Sequence, residues 1–211
     1  MTTTVRDVLA ETLENRQLLS HPFYKRWEAG ALRDGELKAY AEQYRFFEQM
    51  LPEFLARLAS ELPASSARQR VLENLSDEVG PPSHLALFAN FASSLGAENV
   101  AISPAMSALV KTYNDVLERG GECGLAGLLA YESQGAAIAT SKADGLLEHY
   151  NATYDDVTFW RVHGEIEEDH ASWTLEALST LDPTEESIRT GAGLVADAWW
   201  DFLDEREALA A

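Results

Sequence analysis

His163, Glu167 and His170 stand at i, i+4 and i+7 in the stretch DVTFWRVHGEIEEDHASWTLEALSTL. On a helix, at about 100° per residue, Glu167 lies about 40° from His163 and His170 about 20° the other way. Two imidazoles and a carboxylate therefore leave one stripe, with Phe159, Trp160, Ile166, Trp173 and Thr174 along or beside it. Polar groups facing a core need partners, because burying them unpaired is costly. A bound metal ion would use all three as ligands. A solvated face with two incidental histidines is the plain alternative.

One helix leaves a metal under-coordinated, so further ligands are expected from carboxylates stranded on apolar faces. Glu132 is the clearest, with Leu125, Leu128, Leu129, Gly135, Ala136 and Ala139 around it on one face. A charge among such residues is rarely buried unless it is paired or coordinating. An arginine partner is the alternative, and the small residues one turn on leave room for something other than side chains. Glu78 follows Val71 and Leu75 at i, i+4, i+7, and His84 stands six residues beyond it. On one continuous helix His84 would point about 120° away, but Gly80-Pro81-Pro82 breaks the helix and lets the two converge. The set is then Glu78, His84, Glu132, His163, Glu167 and His170, three carboxylates and three imidazoles. Two iron or manganese ions suit such mixed ligation. Their four positive charges against three carboxylates leave a site near +1, fit for O2 or an anionic group. His21, before Pro22 in a turn, and His149, near a helix end, stand apart from this set.

The elements that must position these groups are helical almost throughout. Apolar periodicity marks helices over about 3–19, behind a threonine cap, over 23–30, and over 35–62 with Asp34 as its cap and Pro52 expected to kink it. Further helices cover about 64–79, 83–96 with Ser83 as cap, 103–119, 125–150, 156–181 and 183–209. No alternating strand pattern appears, and the connections are short, so an all-α, up-down bundle of about seven or eight helices is expected. The 211 residues suit one domain, 1–211, with a sizeable core.

The net charge of −19, from 35 acidic and 16 basic residues, disfavours nucleic acid and anionic membranes as partners. No apolar run approaches a membrane span, and the opening MTTTVRDVLAETLENRQ has no signal-peptide core, so a cytoplasmic protein is expected. The single cysteine, Cys123, excludes an internal disulfide and a cysteine-based zinc site. Only four lysines occur, at 25, 38, 111 and 142.

With the six residues placed, the chain resembles the haem-oxygenase-like di-iron oxidases and oxygenases. Their pattern is a Glu with a His six or seven positions on, a Glu on a middle helix, then H-x3-D-x2-H. Here it reads Glu78, His84, Glu132 and His163-x3-Glu167-x2-His170, with Glu167 replacing the usual Asp and a short Glu78–His84 gap. The resemblance covers nearly the whole chain and implies the haem-oxygenase-like bundle. Within the family the chain looks most like the CADD-like para-aminobenzoate synthases, in which a Tyr precedes the middle-helix Glu and a Lys lies ten residues beyond it. Tyr131-Glu132 and Lys142 match, and Tyr24 matches the Tyr after the opening His-Pro.

That resemblance implies a self-sacrificing oxygenase. Tyr24 would supply the aromatic ring and Lys142 the nitrogen, with Tyr40 and Tyr131 as candidate redox groups. Two metal ions, iron before manganese, would act with O2 and an external reductant. A homodimer is implied in the same way. Read from the residues alone, Tyr24 could equally be part of an aromatic cluster with Phe23 and Trp27, and Lys142 a helix-surface lysine.

Rival readings remain open at this point. A related enzyme of the same fold could oxidise an external fatty acid, amino acid or amine. A metal-free thiaminase-like or quinone-biosynthesis relative is disfavoured, because Leu128 stands where the thiaminase group needs a cysteine. Ferritin-like chemistry needs Glu-x-x-His on two helices, and only Glu167-x-x-His170 has that form.

Overall fold

The structure is a computed structural model and describes residues 4–209. Among them the chain forms nine α-helices: α1 (Val5–Leu13), α2 (Pro22–Glu28), α3 (Asp34–Glu61), α4 (Ser66–Val79), α5 (His84–Ser94), α6 (Pro104–Glu118), α7 (Gly121–His149), α8 (Thr158–Thr180) and α9 (Glu185–Ala208). The all-α expectation holds, and the expected number of seven or eight is corrected to nine. The nine stretches marked by apolar periodicity each form one helix. The first expected helix ends at Leu13, and a separate 3-10 turn, Leu18–Ser20, leads into α2. Residue 3, where that helix was expected to begin, lies outside the described residues.

Local chemistry sets the boundaries. Thr4, Ser65, Ser83, Ser103 and Thr184 each cap a helix by accepting a backbone N–H three residues on. At α3 the capping carboxylate is not Asp34, as the sequence suggested, but Glu36. It accepts from the Arg33 N–H and from the Arg33 and Arg26 side chains. Those arginines hold its pKa down to about 2 against the pull of burial. The helix runs on through Pro52 without ending. Gly30 closes the α2 corner at φ +67°, a conformation open to glycine.

The centre of the bundle is α7. Every residue from Cys123 to Glu132 is buried, so this half of the helix has no wet side. α7 packs along α8 and α9, α8 also packs on α4, and α3 lies across α4, α5 and α6. Of consecutive helices, α3 packs on α4, α4 on α5, α6 on α7 and α7 on α8. No helix among the described residues is long and apolar enough to cross a membrane.

Small residues set how closely α7 and α9 approach. A Cβ at Gly191 would clash with the Cys123 carbonyl oxygen, a backbone atom that can move only with its helix. Gly191→Ala is therefore expected to force the helices apart. We expect a loss of about 1–3 kcal/mol, read as a fall in Tm of roughly 2–4 °C per kcal/mol. An unchanged Tm would show that the contact is not a constraint.

Candidate metal centre

The face of α8 that sequence spacing singled out is the buried one. Phe159, Trp160, His163, Glu167, His170, Thr174, Ala177 and Leu178 are buried, while Ile166 and Trp173 sit half-buried at its edges. The solvated-face alternative is thereby excluded. His163 donates its Nδ1–H to the Phe159 carbonyl one turn back, at 2.9 Å. That bond leaves Nε2 with a free lone pair, the form in which imidazole ligates metals. Burial lowers the His163 pKa to about 4, so the ring is neutral at pH 7.

Glu78 ends α4 and His84 begins α5. The Gly80-Pro81-Pro82 break turns the chain so that His84 Nδ1 lies 2.9 Å from Glu78 Oε2. The ring N–H does not aim at that oxygen, and His84 Nδ1 has no hydrogen-bond partner. Two donor atoms are thus held side by side rather than bonded to each other. The His84 and His163 rings lie 4.5 Å apart between centroids. Donor atoms of Glu78, His84 and His163 all fall within 4.8 Å of one another.

Glu132, on the sheathed part of α7, faces the same space. Its partner is not an arginine. Asn74 on α4 donates to Glu132 Oε1 at 2.6 Å, and the Thr174 hydroxyl gives a second bond. Its Oε2 is buried and unpartnered. Glu167 reaches α7 at Gly135, where a Cβ would lie 2.7 Å from Glu167 Oε2. The glycine therefore makes room for a carboxylate. Glu167 Oε2 is also buried without a partner. His170 Nε2 lies 3.3 Å from Asp77 Oδ2, which orients the ring.

These groups enclose a small cavity lined by Glu78, Glu132, His163 and Glu167, together with Glu48, Tyr44 and Tyr131. Its free volume is about 10 Å³, room for ions or a water but not for an organic molecule. Burial first, then the charges of Glu132, Glu78 and Glu48, push the Glu167 pKa well up. Burial likewise raises Glu132. Burial would raise Glu78 too, but His84, His163 and His170 outweigh it and hold the carboxyl below its usual value. Clustered carboxylates short of positive charge, with buried oxygens left unpaired, would cost a protein stability if nothing bound there. The donor set suits metal ions that accept both oxygen and nitrogen ligands. A second opening, a cleft of about 300 Å³ with Arg6 and Leu9 of α1 on its wall, reaches Glu132 and Glu167 from the α7–α8 side. It occupies the space left by the small residues Ala136 and Ala137.

Beyond Tyr131 lies an aromatic box. Lys142 is 2% exposed, so it is not a surface lysine. Its Nζ donates to Tyr40 Oη at 2.6 Å and lies 4.0 Å from the Trp160 ring centroid and 4.7 Å from that of Tyr24. Burial lowers the Lys142 pKa well below its usual value. Tyr24 is fully buried, and its hydroxyl pairs with that of Tyr40 at 3.0 Å. Tyr44 and Tyr131 pair at 2.8 Å, and the Tyr40 and Tyr44 rings stack at 5.4 Å. A continuous chain of phenols thus joins the cavity to Tyr24 and Lys142.

Sequence reasoning did not single out Glu48, Asn74 or Asp77. Asn74 stands four residues before Glu78, so it shares the inward face, and Asp77 is its neighbour at the rim. Glu48 follows Tyr44 and Tyr40 at steps of four, a stranded carboxylate by the same criterion that found Glu132. Leu128 lines the cavity, while Cys123 lies at the α7–α9 contact with its Sγ toward the Ser187 carbonyl. This removes the cysteine that thiaminase-like chemistry would need.

The described architecture recurs in solved structures. A CADD-like protein of unknown function from Nostoc punctiforme superposes with a TM-score of 0.80 at 18% identity, over 98% of this chain and 96% of that one. A domain of unknown function with a haem-oxygenase-like fold from Shewanella denitrificans does so at 0.73 and 17% identity, over 98% and 90%. These show the haem-oxygenase-like fold. In sequence, a 4-aminobenzoate synthase from Chlamydia pneumoniae is 32% identical over 206 residues, which are 93% of this chain and 92% of that protein. The family model described as iron-containing redox enzyme matches residues 38–200, a span that holds all six candidate ligands together with Lys142. The chain belongs to the iron-containing redox enzyme family, and is similar within it to the CADD-like 4-aminobenzoate synthases.

Proposed function

We propose that the chain is an O2-dependent oxygenase with a dinuclear metal centre that forms 4-aminobenzoate from its own Tyr24 and Lys142. Glu78, His84 and His163 would hold one ion, and Glu132, Glu167 and His170 the other. Iron, or manganese with iron, bound there would supply the capacity to reduce O2 with electrons from an external reductant. The observation that carries the reading is Lys142: a buried amine, 4.7 Å from the Tyr24 ring, with no carboxylate ion pair among the described residues. The names of its relatives support the product.

The chemistry of the product states what the residues must do. 4-Aminobenzoate carries a carboxylate where a tyrosine ring carries its methylene, and an amine where the ring carries its hydroxyl. The Cα–Cβ bond of Tyr24 must break, its benzylic carbon must be oxidised by O2, the phenol oxygen must leave as water, and the nitrogen that replaces it must be released from Lys142 by breaking its Cε–Nζ bond. Burial keeps Lys142 largely neutral, so its nitrogen lone pair is available. Tyr40 holds that nitrogen by one hydrogen bond and holds the Tyr24 hydroxyl by another. Trp27, Trp160, Phe23 and Tyr44 wall the pair in and exclude water. The box is filled by its own side chains, which favours a substrate that is already part of the protein.

A second reading rests on the cleft beside Glu132 and Glu167, which has room for a small external substrate. Such an enzyme would turn over many times and would not need Tyr24 or Lys142.

Iron(II)-loaded protein given O2 and reductant should release 4-aminobenzoate at no more than about one molecule per chain, with changes of intact mass mapping to residues 24 and 142. Tyr24→Phe and Lys142→Met should release none. Lys142→Met should also keep or raise the Tm, because it removes a buried amine with a single hydrogen bond. Unchanged mass with repeated turnover would sink the self-sacrificing reading. His163→Ala should lower bound metal, measured after anaerobic loading, by about tenfold in affinity or more. Undiminished binding would remove α8 from the site.

A further inference from the structure

Glu48 is 2% exposed and lines the ion-sized cavity with Glu78, Glu132, His163 and Glu167. Its Oε2 is buried with no hydrogen-bond partner, the same condition as Oε2 of Glu132 and of Glu167. Burial weighs most on the carboxyl, followed by the Glu78 charge, Lys142 and the Tyr44 hydroxyl. Among the described residues it makes no ion pair within 4.0 Å. Its helix gives no structural reason for a carboxylate there. Tyr40, Tyr44, Phe47, Leu51 and Phe54 on the same face of α3 are all buried and aromatic or aliphatic.

We propose that Glu48 is a seventh metal-facing residue, a fourth carboxylate that ligates the metal pair from α3. The proposal rests on the dinuclear reading of the site. Its consequence is electrostatic. Two divalent ions with Glu78, Glu132 and Glu167 leave a net charge near +1, and Glu48 brings the centre to neutrality. A neutral centre holds exogenous anions less strongly and favours the higher oxidation states of its metals. Glu48 also ties the metals to the aromatic box, since α3 carries Tyr40, Tyr44 and Glu48 one turn apart, from the Lys142 amine to the cavity.

The test compares wild type with Glu48→Gln and Glu48→Asp, each stripped of metal and then loaded anaerobically with Mn(II) or Fe(II) alone. In Glu48→Gln the weaker ion should bind about tenfold less tightly or worse, and the Mn(II) electron paramagnetic resonance should change from a coupled pair toward an isolated six-line ion. Glu48→Asp, one methylene shorter, should recover part of the coupled signal. The metal-free Glu48→Gln protein should melt at or above the metal-free wild type, because a buried unpaired carboxyl has been removed. Wild-type affinity with an unchanged coupled spectrum in Glu48→Gln would overturn the assignment while leaving the dinuclear reading intact. A lower melting temperature of the metal-free variant would overturn it in favour of a packing role. A wild-type protein that takes up no metal would overturn both.

Discussion

The structure depends on one electrostatic constraint: carboxylates and imidazoles from five helices meet in the core, and among the described residues no arginine pairs with them. Glu48, Glu78, Glu132 and Glu167 are each nearly inaccessible and border one small cavity. Packing of this kind is stable only if positive charge enters the cavity or the carboxyls stay protonated. The histidines provide part of the balance for Glu78 and none of note for Glu167. Much of the surrounding architecture serves this cluster. The Gly80-Pro81-Pro82 break aims His84 at Glu78, Gly135 admits Glu167, and Asn74, Thr174 and Asp77 orient the remaining donors.

The cluster was largely legible because each candidate ligand breaks the pattern of its own helix. His163, Glu167 and His170 share a stripe with Phe159 and Trp160, and Glu132 stands among leucines, so a polar group at a core position advertises itself. Glu48 obeys the same rule on α3. It escaped notice because six residues already completed a recognised pattern, and nothing in one helix tells how many ligands a cavity will take. Lys142 was harder for another reason. Helical-wheel reasoning assumes a wet side and placed it at the edge of the inward face. α7 is the centre of the bundle, flanked by α2, α8 and α9, so its edge positions are interior too. That is a tertiary fact, invisible to the periodicity of a single segment. The cap of α3 shows the limit at short range: Asp34 and Glu36 both suit a helix start, and the choice follows from Arg26, which α2 carries to the spot.

The two chemical zones differ in what they leave empty. The cavity among the carboxylates has room for ions, while the box around Lys142 is filled by Tyr24, Tyr40, Tyr44, Trp27 and Trp160. An enzyme for a diffusible substrate keeps a pocket of substrate size beside its reactive group. Here the amine is packed directly against a ring of the protein itself. The cleft that does have such a size approaches from the opposite flank, at Glu132 and Glu167. It suits the passage of O2, reductant or a small anion past Arg6 better than the delivery of a ring to Lys142.

Charge connects the zones as well as geometry. Lys142 bears electrostatically on Glu48, and burial disfavours its own charged form. An uncharged amine is what nitrogen transfer requires, so Lys142 cannot at the same time serve as the lasting counter-ion of a buried carboxylate. If the lysine is to stay neutral and Glu48 is to stay ionised, the positive charge must come from the other side, where the cavity is. The same α3 stripe that holds the amine through Tyr40 thus leaves Glu48 lining the ion-sized cavity.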